Sequence, residues 1–171
     1  MKEFECITPS SNNRRDVEAA VPKVIVTLGE VVAKAGDTGV FGELGLTTIK
    51  YILLHVLSKH ATSPTMTELR KHLLRSPANL TRLVDDLEEE GLIRRVASPN
   101  DRRVHQIQLT DAGHTRIHDA EEHLADQMSL FFKDYTTEEL TTLLSLLIRV
   151  GNDMITILGL EGNFTYSESK Q

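Results

Sequence analysis

Two groups of residues near the middle of the chain have the types and spacing to engage a polyanion. The first is Ser76-Pro77-Ala78-Asn79-Leu80-Thr81-Arg82. A hydroxyl followed by proline is a helix start. Ser76 can accept from an early amide, and Pro77 fills the first helical position, where its missing N–H has no helical partner. The free amides of such a start favour phosphate. Ala78, Asn79, Thr81 and Arg82 then stand where side chains can reach base edges. Asn79 carries the amide that pairs with adenine, and Arg82 a guanidinium that reads guanine or holds a phosphate. The second group is Asp101-Arg102-Arg103, in a turn between two strand-like runs. Two guanidinium groups on a slender tip suit the narrower groove, where negative potential concentrates, and Asp101 can brace one of them. Arg70, Lys71 and Arg75 lie just upstream of the helix start and are candidates for the DNA backbone.

Each feature also has an ordinary explanation. An arginine pair on a hairpin is by itself common solvated surface. Arg82 has rival partners in Asp85 and Asp86, three and four residues on. The charge distribution favours the nucleic-acid reading. The 171-residue chain carries a net charge of -6, yet residues 62–118 hold nine Lys or Arg against eight Asp or Glu. The remainder holds ten against seventeen, so the middle is the part most tolerant of DNA.

Other chemistry is weakly represented. His114 and His118 are four apart, with Glu122 continuing the same helical face, which makes a metal edge. No HExxH pattern or nearby cysteine accompanies them, so no metal is expected. His55 lies in an apolar stretch and suits a buried hydrogen bond or a cavity wall. The one cysteine, Cys6, excludes an intrachain disulfide and has no His or Lys beside it to lower its pKa. No Ser-His-Asp spacing, glycine-rich phosphate loop or paired carboxylate arrangement stands out. Neither enzyme activity nor a cofactor is expected.

These residues need elements to hold them. Val17, Val21, Val24 and Leu28 recur at helical spacing over 14–35, although Pro22 either kinks that helix or begins a later one. The glycine-rich stretch 35–45 reads as a loop. A second helix covers 47–59. Thr65 and Glu68 form a capping box for a third, which runs to about residue 74. The fourth, 77–90, packs through Leu80, Leu83, Val84 and Leu87, and Gly91 ends it. Glu88-Glu89-Glu90 sits at its C-terminal end, the unfavourable end for anions. Residues 92–96 and 104–109 alternate as two strands, with Ile107 and Leu109 inward. Thr110 caps a fifth helix over 111–134, with Ile117, Leu124, Met128, Leu130 and Phe131 on its apolar side. Thr136 and Glu139 start a last helix that runs to about residue 158. No run of about 18 apolar residues exists, so no membrane span is expected, and without a signal-like segment the default location is cytoplasmic.

The expected organisation is a leader (1–13), an N-terminal helix with its connector (14–46), a helix-turn-helix and hairpin (47–110), two C-terminal helices (111–160) and a tail (161–171). Helix, short turn, capped helix and two-stranded hairpin match a helix-turn-helix with a wing. The first, fifth and sixth helices carry more apolar surface than so small a module can cover. Pairing two chains would bury it and set two recognition helices roughly 34 Å apart, one turn of DNA. The fold class is therefore mainly α with a small β-hairpin wing, about six helices, and dimeric.

The segment LTRLVDDLEEEGLIRRVASPNDRRVHQIQLTDAG, residues 80–113, resembles the MarR family of bacterial winged helix-turn-helix regulators, and the likeness extends over about 18–158. The D-x-R motif of its wing matches Asp101 and Arg103, and its L-T-x-x-G end matches Leu109, Thr110 and Gly113. The resemblance implies a homodimer that binds double-stranded DNA at a pseudopalindromic operator. Arg103 would enter the minor groove, Asp101 would brace it and Arg102 would reach the backbone. It further implies a repressor released by a small aromatic ligand, whose pocket would draw on Ile52 and His55. Cys6 and the His114/His118 pair match the family's peroxide-sensing and zinc-sensing branches poorly. A winged-helix protein-interaction module, or a small-molecule-binding scaffold without operator binding, is the alternative.

Overall fold

A computed structural model describes residues 9, 11–60, 62–73, 76–98 and 104–160, with only the backbone of His72. Among these are six α-helices and one antiparallel hairpin: α1 (Arg14–Ala35), α2 (Thr48–Lys59), α3 (Met66–Leu73), α4 (Pro77–Glu89), β1 (Ile93–Ala97), β2 (His105–Leu109), α5 (Asp111–Phe131) and α6 (Thr137–Ile157). The chain divides into two compact units, residues 1–51 and 52–171.

In the first unit Asn13 caps α1, its side chain accepting from the Asp16 amide at 3.0 Å. Pro22 lies inside α1 without ending it. It leaves the Glu18 carbonyl without its usual helical donor, and Pro22 is exposed. The glycine-rich stretch is more ordered than the expected loop. It winds through a π turn, Gly36–Val40, and a 3-10 turn, Gly42–Leu44, before Gly45 reverses it at φ 67°. Two contacts enforce this path. Thr48 donates through its hydroxyl to the Ala33 carbonyl at 2.9 Å and through its amide to Asp37 Oδ1 at 2.5 Å. Buried Phe41 also stacks on Tyr51 with ring centroids 4.3 Å apart. A Cβ on Gly36 would meet the Thr48 hydroxyl at 2.3 Å, so the helix end approaches this closely only as glycine.

The second unit carries the main core. Leu53, Leu54 and Leu57 of α2, Leu69 of α3, and Leu80, Leu83, Val84 and Leu87 of α4 are buried with Leu92, Ile93, Ile107, Ile117 and Ala120. The α4 set follows the i, i+3, i+4, i+7 spacing of a single buried stripe. Each of these leucines contributes roughly 1.5–3 kcal/mol by leaving water. The hairpin pairs Ile93 with Leu109 and Ala97 with His105. A further rung comes from the segment before α3: the Ile107 amide donates to the Pro64 carbonyl at 2.8 Å, and Thr65 bridges to Gln106. Helix α5 begins where Thr110 accepts from the Gly113 amide at 3.0 Å, while the same hydroxyl donates to the Gly91 carbonyl at 2.7 Å.

Helix α5 stops at Phe131, earlier than the expected 134, and Phe132 packs edge-on to both Phe131 and Tyr135 in the turn that follows. Leu130 and Phe131 are exposed rather than inward, at 68% and 66%. Helix α6 has the expected capping box at Thr136 and Glu139 but no buried residue, and Leu143, Leu144, Leu146, Leu147 and Met154 are all exposed. Although the sequence has no unbroken apolar run of that length, α6 is long and apolar enough to cross a membrane by length and composition alone. It nonetheless carries Glu138, Glu139, Arg149 and Asp153.

Candidate nucleic-acid interface

Helices α3 and α4 form the helix-turn-helix. Glu68 locks the start of α3: one carboxylate oxygen accepts from the Thr65 amide at 2.7 Å and its hydroxyl at 2.8 Å, and the Glu68 amide donates back at 3.3 Å. Ser76 begins α4 in an extended conformation, and its hydroxyl accepts from the Asn79 amide at 3.4 Å. With one stripe of α4 buried, Ser76, Pro77, Ala78, Asn79, Thr81 and Arg82 are all exposed. Thr81 donates its hydroxyl to the Pro77 carbonyl at 2.9 Å, leaving the oxygen as an acceptor outward. Arg70 and Lys71 are exposed on α3. Arg75 lies outside the described residues.

The hairpin closes its last described rung where the Ser98 amide donates to the Val104 carbonyl at 2.8 Å. Asp101, Arg102 and Arg103 belong to the segment 99–103 that joins these two positions and lie outside the described residues.

Arg82 makes no ion pair among the described residues, although Asp85 and Asp86 are within helical reach. Asp85 is taken by Arg95 of β1 instead. The Arg95 guanidinium also pairs with Glu88, and the Arg95 amide donates to Glu88 Oε1 at 2.8 Å. Partial burial works to lower the Arg95 pKa, but the hydrogen bond to Asp85 and the charge and hydrogen bond of Glu88 outweigh it and hold the group above its usual value. Sequence reasoning missed this cluster. It treated the Glu88-Glu89-Glu90 run as a cost at the helix C-terminus, whereas Glu88 is matched across the turn. The usable signal was strand alternation, which sets Arg95 on the same face as buried Ile93.

Farther from the helix-turn-helix, His55 Nδ1 lies 2.9 Å from Glu121 Oε1, and Lys59 Nζ lies 3.4 Å from the same oxygen. Burial tends to raise the Glu121 pKa, but the hydrogen bonds of His55 and Lys59 prevail and hold it below the ordinary carboxylate range. Ile52 is exposed. A cleft of about 380 Å³ beside the hairpin is lined by residues including His60, Arg94, Asp111 and His114, and neither Ile52 nor His55 is among them. His118 and Glu122 are exposed, 3.9 Å apart, and no cluster of three metal-ligating side chains occurs among the described residues. Cys6 lies outside the described residues.

A capped helix offering a polar N-terminal face, set after a short turn and followed by a hairpin, is the geometry of a winged DNA reader. Known proteins share it. The MarR family profile matches residues 44–104. The chain is 32% identical over 152 residues to the HTH-type transcriptional regulator PecS of Dickeya dadantii (strain 3937), covering 84% of this chain and 89% of that protein. Wild-type MarR of E. coli in its apo form superposes with a TM-score of 0.65 at 25% identity, covering 75% of this chain and 95% of the other. CouR of Rhodococcus jostii RHA1, solved bound to p-coumaroyl-CoA, shares the fold with a TM-score of 0.67 at 21% identity, covering 82% of this chain and 95% of the other. The relation to PecS spans nearly the whole of both chains, and on that ground this protein belongs to the MarR family of DNA-binding transcriptional regulators.

Proposed function

We propose that the protein is a homodimeric repressor that binds a pseudopalindromic operator and leaves it when a small aromatic ligand binds. The observation that carries the DNA half is the exposed N-terminal face of α4, where Asn79 and Arg82 extend past a capped helix start. In this reading Ser76, Pro77 and Ala78 bring the helix end against phosphate, Asn79 and Thr81 read base edges, and Arg82 binds guanine or phosphate. Arg70, Lys71 and Arg75 hold the backbone. Arg103 enters the minor groove with Asp101 as its brace, and Arg102 contacts the backbone.

The dimer is supported by apolar surface that stays exposed among the described residues. Val26 and Val32 of α1 are 63% and 56% exposed, and Leu143, Leu144, Leu146 and Leu147 line α6 in the open. Covering such faces with a second copy gives two recognition helices one DNA turn apart, and a single reader would bind weakly. Ligand release draws support from CouR, whose structure holds p-coumaroyl-CoA. Ile52 and His55 remain the residues we assign to the ligand in this chain. A protein acting on chromosomal DNA works in the cytoplasm.

Selection of bound duplexes from a random pool, followed by titration of variants, tests the reading. Asn79→Ala should relax discrimination at one position by about 1–3 kcal/mol, and Arg103→Ala should weaken binding to all duplexes and lower the salt slope by about 1. Unchanged binding in both variants would instead leave a protein-interaction module built on the same fold.

A further inference from the structure

We infer that Arg95 is a positioning residue for DNA binding: by taking up Asp85 and Glu88 it keeps the carboxylates of the recognition helix away from Arg82. This rests on the reading of α4 as the DNA-contacting helix.

Helix α4 is an awkward recognition helix by composition. It carries Arg82 as its one cation and Asp85, Asp86, Glu88 and Glu89 as anions. Asp85 is three residues beyond Arg82, a spacing at which the two side chains meet on the helix surface. A carboxylate there acts twice against DNA. It competes for the guanidinium, and it repels phosphate. Asp86, at four residues, is the weaker competitor, because a cation N-terminal to an anion is the less favourable order at that spacing.

The structure removes the stronger competitor. The Arg95 guanidinium reaches from β1 to Asp85 and Glu88 together, at 27% exposure of its own side chain. The Arg95 amide fixes Glu88 as well, at 2.8 Å, so the anchor is held by backbone and side chain. Of the groups facing this cluster, Glu89 shares the small cleft formed by Asp85, Glu88 and Arg95, and no second cation among the described residues lines it. Arg82 is left exposed and without an ion pair among the described residues. Two carboxylates near the duplex are thus neutralised by a residue that itself stays on the strand.

An electrostatic role and a purely mechanical one make opposite forecasts for Asp85. If Arg95 merely tethers α4 to β1, removing the Asp85 charge breaks the tether and weakens binding, as removing Arg95 does. If Arg95 withdraws Asp85 from Arg82, removing the Asp85 charge is harmless or helpful. The experiment is fluorescence anisotropy on a duplex selected from a random pool, at two salt concentrations, with Tm recorded for each protein. Arg82→Ala should weaken binding at least about tenfold, which verifies the underlying interface. Arg95→Gln should weaken it about two- to fivefold. Asp85→Asn should bind as well as wild type or better, and Arg95→Gln with Asp85→Asn should recover most of the loss while Tm stays at the value of the single Arg95 variant. Loss of affinity in Asp85→Asn, or no recovery in the double variant, would overturn the proposal while leaving the interface intact. An inert Arg82→Ala would overturn both. Should Arg95→Gln fail to fold, Arg95→Lys replaces it. A lysine ammonium is a compact charge that does not form a guanidinium's fork to two carboxylates, and the same recovery on adding Asp85→Asn is required of it.

Discussion

Gly113 stands where helix α5 meets the end of the recognition unit. A Cβ there would lie 2.0 Å from the Leu92 carbonyl oxygen, and that oxygen already accepts from the Thr110 amide at 3.1 Å. The obstacle is backbone, so it cannot swing aside. Gly113→Ala should cost about 3 kcal/mol, seen as a fall of roughly 10 °C in Tm. Glu121 allows a second forecast. Its pKa is depressed in the folded protein, so its contribution to stability is present above the unfolded value and is lost as pH falls through the folded one. With about a third of the side chain exposed, the effect is no more than about 1 kcal/mol. The Tm difference between wild type and Glu121→Gln should be full at pH 6 and shrink below about pH 4. At this scale the sequence was informative wherever partners are close in the chain. Ser76 with Asn79, Thr65 with Glu68, and Thr136 with Glu139 are three-residue spacings that can be read by eye. The Arg95 cluster spans seven and ten residues and a change of element, and His55 with Glu121 spans sixty-six, so neither spacing is fixed by local geometry.

Among the elements, α4 is the one whose start the proposed interface depends on most. Ser76→Ala removes a cap and should cost about 1 kcal/mol of stability. It should also weaken DNA binding, because the freed Asn79 amide no longer holds the first turn. Circular dichroism melts and anisotropy on the same preparation check both. Most helices were visible beforehand because their apolar residues repeat at helical spacing, and the hairpin because Ile107 and its neighbours alternate. The stretch from Gly36 to Gly45 was not, since its turns are set by the Phe41–Tyr51 stack and the Thr48 hydrogen bonds, which no local pattern announces. The end of α5 was placed too late because Leu130 and Phe131 look like core by type, yet they face outward.

For the whole molecule, that outward apolar surface is the largest unresolved demand. Val26 and Val32 in the first unit, and Leu130, Phe131 and the α6 leucines in the second, are exposed among the described residues. A second copy would cover them, and the same pairing would supply the second reader that an operator requires. Introducing a charge on the apolar face of α6, such as Leu147→Glu, should therefore shift the protein towards monomer in sedimentation equilibrium and weaken DNA binding by more than tenfold, the order expected when one of two readers is lost. Sedimentation velocity of the protein with its selected duplex tests the account most directly. Two chains per duplex, on a site whose halves lie about one helical turn apart, with binding that falls steeply as salt rises, is the predicted result. A single chain that sediments alone and prefers no duplex over random competitor would contradict it.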